Sequence, residues 1–210
     1  MKKNCTEVVF VLDRSGSMCG LEKDTIGGLN SLINKQKKQD GEVLVSTVLF
    51  NDSSVVIHDR KPIDEVRLMT NKDYEVYGCT ALLDALGSSI RHIGNIHKYA
   101  RVEDVPEHTM FVIITDRMEN ASRYYSKERV KSMIEYEKEK YGWEFLFLAA
   151  NMDAIDTASQ YGIDKDHAVN YQCDSVGTRL NYEVLDEAIQ CICSGVPLSK
   201  SWKSKIEKCK

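Results

Sequence analysis

The sequence predicts an α/β protein built on a three-layer, doubly wound sheet: six strands, mostly parallel, with one antiparallel edge strand and helices on both faces. Three observations lead there. Short apolar runs alternate along the chain with longer stretches whose apolar residues recur at intervals of three and four. The first run is apolar on both faces, as a strand in the middle of a parallel sheet must be. Two neighbouring runs are parted only by Asn51 and Asp52, a hairpin signal that makes one edge pair antiparallel.

That first strand is "EVVFVL" (7–12). Residues 20–38 follow as a helix with Leu21, Leu29, Leu32, Ile33 and Gln36 near one face, weakened by Gly27 and Gly28. "EVLVSTVLF" (42–50) and "SSVVIH" (53–58) form the hairpin, and 60–79 is irregular. "TALLDALGSSIRHIGNIHKYA" then puts Leu82, Leu83, Leu86, Ile90, Ile93 and His97 on one helical stripe. "TMFVIIT" (109–115) is the next buried strand, after which Ser126 caps a charged helix with Val130, Met133, Ile134 and Tyr141 inward. The strand "WEFLFLAA" (143–150), a short helix near 152–161 and a weaker strand at "HAVNY" (167–171) come next. A helix over about 176–193, with Leu180, Val184, Ala188 and Ile192 on one stripe, closes the series.

With 210 residues the chain can bury a full core as one domain, 1–195, followed by a basic tail, 196–210. No apolar run approaches the roughly 20 residues of a membrane helix. The start "MKKNCTEVVFVLDRSGS" lacks the small-residue cleavage site of a signal peptide, so a cytoplasmic protein is expected. Seven scattered cysteines, an odd number, read as free thiols. Cys191 and Cys193 point to different helix faces, which suits core packing better than zinc. The net charge of -4 divides unevenly: Lys200, Lys203, Lys205, Lys208 and Lys210 against Glu207 give the tail +4 and leave the body at -8. A body that acidic argues against nucleic acid as a partner. In the tail, Leu198, Trp202 and Ile206 stand four apart, and docking on the body is favoured over a membrane or partner segment.

In open α/β sheets, chemistry collects where loops leave the carboxyl ends of strands. The first strand ends in Asp13-Arg14-Ser15-Gly16-Ser17, the strand at 109–115 ends in Asp116, and "YGCTALLD" places Thr80 where a helix begins. Together they offer two carboxylates and three hydroxyls, hard oxygen donors that suit Mg2+, Mn2+ or Ca2+ better than zinc or copper. Alternate residues of an extended turn can aim their oxygens at one point, with Gly16 allowing a sharp bend. Two carboxylates only neutralise a divalent ion. Such an ion stays electrophilic and keeps a position for water or an incoming carboxylate.

"DRSGSM", "GCTAL" and "IITD" resemble, in order and separation, the motifs of the von Willebrand factor type A (vWA) domain with its metal-ion-dependent adhesion site (MIDAS). The resemblance covers roughly residues 6–193. It implies a Rossmann-like sheet and a MIDAS of Asp13, Ser15, Ser17, Thr80 and Asp116 that binds magnesium or manganese. It also implies protein binding through a partner's Glu or Asp carboxylate. The "DRSGSM" version, with Met18, looks like the intracellular and bacterial branch, which implies a chaperone-like ATPase or a stress-response assembly, tellurium-resistance systems included, as partner. In some relatives the last helix shifts as the site tightens, which here would be the helix at 176–193. One departure stands out. Where many relatives have glycine after the third-motif aspartate, this chain has Arg117. That cation could pair with the partner's acid, or swing onto Asp116 and weaken the metal site.

Taken singly, Thr80 would be an ordinary helix N-cap and Asp116 an ordinary strand-end residue. Cys19 and Cys79, beside the first two motifs, read as small buried fillers rather than a redox pair. The five histidines, His58, His92, His97, His108 and His167, are dispersed and receive no metal. For an enzyme, "GSMCG" has Met18 where a nucleophile elbow needs serine, no phosphate-cradling Gly-rich loop exists, and no general base is evident. A metal-dependent binding module, not an enzyme, is therefore expected, with metal-assisted phosphoester hydrolysis as the alternative.

Overall fold

A computed structural model describes residues 1–196 and 198–208. Lys210, the last residue of the basic tail, and Cys209, counted among the free thiols, lie outside the described residues. Six strands form one sheet: β1 (Lys2–Asp13), β2 (Glu42–Phe50), β3 (Ser54–Pro62), β4 (Pro106–Thr115), β5 (Glu144–Ala149) and β6 (Ala168–Asn170), in the order β3-β2-β1-β4-β5-β6. All neighbours are parallel except β2 and β3. The predicted fold class is therefore the observed one. Among the described residues, no helix is long and apolar enough to cross a membrane.

The side-chain alternation of the strands sorts the core into two layers. Val8, Phe10 and Leu12 of β1, with Met110, Val112 and Ile114 of β4, face α1 (Glu22–Gln36) and α5 (Ser175–Cys193). Val9 and Val11, with Phe111 and Ile113, face α2 (Leu82–Tyr99), α3 (Lys127–Tyr141) and α4 (Ala154–Gln160). Because the central strands are covered on both sides, their sequences read as unbroken apolar runs.

Several expectations need correction. Gly28 does not weaken α1 but lets it pack: a Cβ there would stand 2.1 Å from the Tyr182 ring of α5. Tyr141, expected inward, is 51% exposed and lies edge-on to Tyr136 at a centroid distance of 6.0 Å. Cys191 and Cys193 are only half-buried, with Cys193 against the core rather than within it. Ser126 does cap α3, its hydroxyl accepting the Arg129 N–H at 3.3 Å. The tail docks through Trp202 and Ile206, both buried in the α1/α5 layer, the latter on the short helix α6 (Ser204–Glu207). Lys203 Nζ donates to the carbonyls of Lys165 and Ala168 at 2.9 and 2.8 Å, so this tail lysine is structural.

Candidate metal centre

β1 is the central strand, flanked by β2 and β4, and it carries Asp13 to the carboxyl edge of the sheet beside Phe50. The turn that follows is fixed by Asp13 itself, whose Oδ1 accepts the Ser15 N–H at 2.7 Å. Residues Gly16–Met18 then make one 3-10 turn, anchored by the buried Met18. Gly16 is not in the left-handed region, so the bend does not depend on a glycine conformation; its N–H instead donates to the Gly78 carbonyl at 3.0 Å. The glycine that the site requires is Gly78. With φ +77 and a would-be Cβ 2.1 Å from Asp52 Oδ2, no other residue fits there.

The three predicted loops are tied to one another. Tyr77 N–H donates to the Arg14 carbonyl at 3.1 Å, Thr80 N–H to Asn120 Oδ1 at 2.9 Å, and Asn120 N–H to the Thr80 carbonyl at 3.1 Å. Within that frame Ser15 Oγ lies 3.2 Å from Ser17 Oγ, and Ser17 Oγ donates to Asp116 Oδ1 at 2.6 Å. Asp13 Oδ2 accepts the Thr115 hydroxyl at 2.6 Å, next to Asp116. Asp13 and Asp116 are both buried. Burial pushes the Asp13 carboxyl above its ordinary range, bonds from Thr115 and Ser15 oppose that rise, and the Asp116 carboxylate adds to it. Two buried acids so close to one another are a place where a cation is stabilised.

Thr80 is the informative member of the set. Its hydroxyl is buried and has no hydrogen-bond partner among the described residues. It does not cap α2, which is capped instead by Glu119 Oε2, accepting the Leu83 N–H at 2.8 Å, and by Ser122 Oγ, accepting the Asp84 N–H at 3.0 Å. An orphaned buried hydroxyl costs about 1–3 kcal/mol unless something meets it, and a metal ion would. The donor chemistry fits a hard divalent cation: two carboxylates and three hydroxyls, all oxygen. Among the described residues no group of three or more His, Cys, Asp or Glu side chains could hold a metal, because this set owes most of its donors to hydroxyls.

No family model matches the chain, and no curated protein matches it. Solved structures do. The vWF domain of the type V pili tip protein Mfa5 from Porphyromonas gingivalis aligns with a TM-score of 0.61 at 10% identity, over 92% of this chain and 97% of that one. The ArnB paralog VWA2 from Sulfolobus acidocaldarius gives 0.56 at 16%, over 88% and 45%. The fold is that of a vWA domain. Proximal thread matrix protein 1 from the mussel byssus, whose structure has a zinc-occupied MIDAS motif, gives 0.60 at 15%, over 92% and 47%. The chain thus spans less than half the length of several structures it resembles.

Other side chains on this vWA frame were not evident from sequence. Asn51 and Asp52 do more than turn the hairpin. Asn51 Nδ2 donates to the Tyr77 carbonyl at 3.1 Å, and Asp52 Oδ1 accepts the Cys79 N–H at 3.0 Å, which hold the Thr80 loop in place. Tyr74, fully buried, donates its hydroxyl to the Asp13 carbonyl from below. Arg14 is buried with its guanidinium over the Tyr77 ring, 5.4 Å from the centroid. Cys19 and Cys79, on two different loops, are exposed and not buried fillers. The thiol beside the cluster is instead Cys173, with Sγ 3.9 Å from Asp116 Oδ2. Arg117 is exposed and, among the described residues, forms no ion pair.

Proposed function

We propose that Asp13, Ser15, Ser17, Thr80 and Asp116 hold Mg2+ or Mn2+, and that the bound ion receives an acidic side chain of a protein partner. The unpartnered Thr80 hydroxyl is the observation that carries this reading. Ser17 can keep donating to Asp116, and Ser15 to Ser17, while their lone pairs face a cation, so binding requires little rearrangement of the hydroxyls. When present, the ion supplies an electrophilic coordination position. The same oxygens accommodate Ca2+, and the zinc in the mussel byssus MIDAS supports divalent binding in general.

Arg117 supports a carboxylate as the incoming ligand. Unpaired among the described residues and exposed beside Asp116, it is available to a partner's acid, which is the first of its two sequence-based outcomes. An intracellular bacterial assembly, with an ATPase or stress-response component as partner, follows from the motif resemblance. Six described cysteines, all unpaired, suit a reducing cytoplasm. Nucleic acid and membrane are not proposed as partners.

Against a hydrolase reading, three acids near these loops are already engaged with backbone N–H groups, which disfavours each as a general base: Asp52 with Cys79, Glu119 with Leu83, Ala121 and Ser122, and Asp84 with Arg123, Tyr124 and Tyr125. An affinity pull-down run with and without chelator tests the binding reading. A partner retained in Mg2+, lost in EDTA and not captured by Asp13→Ala is the expected outcome. Phosphoester turnover by the purified protein that disappears in Asp13→Ala would replace it with the hydrolase.

A further inference from the structure

At the other end of the sheet lies a cavity of about 420 Å³ between the last turns of α2 and α3, floored by the starts of β4 and β5. From Pro106 at its floor, β4 runs roughly 30 Å to Asp116 at about 3.3 Å per residue, so the two places are separate. Trp143 forms its rigid wall, stacked on Phe111 and edge-on to His97 at centroid distances of 5.4 Å each. Gly94 leaves the space open: a Cβ there would approach Glu137 Oε1 to 3.2 Å and the Trp143 ring to 4.0 Å.

Two carboxylates line this otherwise largely apolar space, and they differ. Glu107 is satisfied by Lys3 Nζ at 2.5 Å and by the Asn4 N–H at 3.0 Å. Glu137 Oε2 is buried and has no hydrogen-bond partner among the described residues. Neither the neighbouring His97 nor Arg60 hydrogen-bonds to it. His97 Nε2 is held at 2.7 Å by Glu7 Oε2, and Arg60 Nε at 2.7 Å by Glu7 Oε1, so that buried acid on β1 already has its partners. Lys98, also at the rim, lies over the Tyr99 ring at 5.2 Å. Burial pushes the Glu137 carboxyl up, with His97 and Lys140 partly opposing the rise. A carboxylate left in this state beside an indole wall is complementary to a positive charge on an apolar body.

We propose that this cavity is a second ligand site, for a small organic cation whose ammonium or amidinium group meets Glu137 while its apolar part lies against Trp143. The site is independent of the metal centre.

Benzylamine and its uncharged analogue benzyl alcohol are suitable probes, titrated into the full chain with the two tryptophan indole N–H resonances as reporters. Trp202, whose indole donates to the Asp166 carbonyl at 2.9 Å in the opposite layer, is the internal control. Benzylamine is expected to shift the Trp143 resonance saturably, leave Trp202 in place, and bind at least roughly tenfold more tightly than benzyl alcohol. Glu137→Gln, which removes a charge that among the described residues makes no hydrogen bond or ion pair, should fold as the parent does and lose that preference. Gly94→Val should weaken both probes, and EDTA should change neither. No saturable shift of Trp143, or benzylamine binding unchanged in Glu137→Gln, would overturn the proposal.

Discussion

Ser17 Oγ donates to Asp116 Oδ1 at 2.6 Å, joining the ends of two strands across 99 residues of sequence. The bond closes the chain Ser15, Ser17, Asp116, and it gives one of two buried acids its main hydroxyl donor. Ser17→Ala removes a hydrogen bond to a charged group, so the metal-free protein should lose about 1.5 kcal/mol. The response to Mn2+ should fall as well, because a donor and the preorganisation of Asp116 go together. Chemical denaturation with and without Mn2+ reads both losses; unchanged stability in EDTA would show that the bond does not organise the site.

Among the described residues Asn51 hydrogen-bonds to none of the proposed ligands, yet it holds the segment that carries Thr80. Its side chain takes the Tyr77 carbonyl at 3.1 Å, and its own carbonyl accepts the Ala81 N–H at 2.8 Å. Asn51→Ala leaves the Tyr77 carbonyl unmet and should cost about 1–2 kcal/mol. Metal affinity should drop with it, although every donor atom remains. A variant that melts lower but titrates Mn2+ like the parent would confine Asn51 to the hairpin.

The irregular stretch before Thr80 carries the acid dependence. Asp73 accepts from Arg67 at 2.7 and 2.8 Å and from the Thr70 N–H and hydroxyl at 2.8 and 2.7 Å. The Arg67 guanidinium foremost, with Thr70, holds the Asp73 carboxyl well below the usual carboxylate range. A folded value below the unfolded one means stability that is full above about pH 4 and lost as pH falls toward the folded value. Asp73→Asn should therefore melt below the parent at pH 6, with the gap narrowing by pH 3. A gap that stays constant over that range would remove Asp73 from the acid limb.

How much of this is legible in the sequence follows from the range of each interaction. Asp13 and Asp116 end contiguous apolar runs, and Thr80 begins an amphipathic one, so local pattern places all three at element ends. The sheet class is legible for the same reason, since β1, β4 and β5 alternate with helical stripes. What binds the loops is not. The bonds from Asn51 to Tyr77, Cys79 to Asp52 and Thr80 to Asn120 span 26, 27 and 40 residues, and asparagine or aspartate at a turn has a sufficient local explanation. Cys173 comes beside Asp116 only because β6 lies at the sheet edge next to β5. Cys19 and Cys79 read as small buried fillers beside the motifs, whereas both are exposed on the loops that carry them. Glu7 reads as the polar start of a strand; only the approach of Arg60 and His97 allows it to be buried.

The central claim is that the Thr80 hydroxyl waits for a cation. Because this hydroxyl is buried and has no hydrogen-bond partner among the described residues, Thr80→Val, which keeps the shape, should leave the metal-free protein as stable as the parent or slightly more so. Thermal melting of both proteins in EDTA and in Mn2+ separates the possibilities. At a hundredfold excess over its dissociation constant, Mn2+ should stabilise the parent by about 2.7 kcal/mol, which raises the melting temperature by roughly 5 to 10 °C. Thr80→Val should melt with the parent in EDTA and lose most of that rise in Mn2+. Equal rises in the two proteins, or a Thr80→Val variant already destabilised in EDTA, would contradict the account.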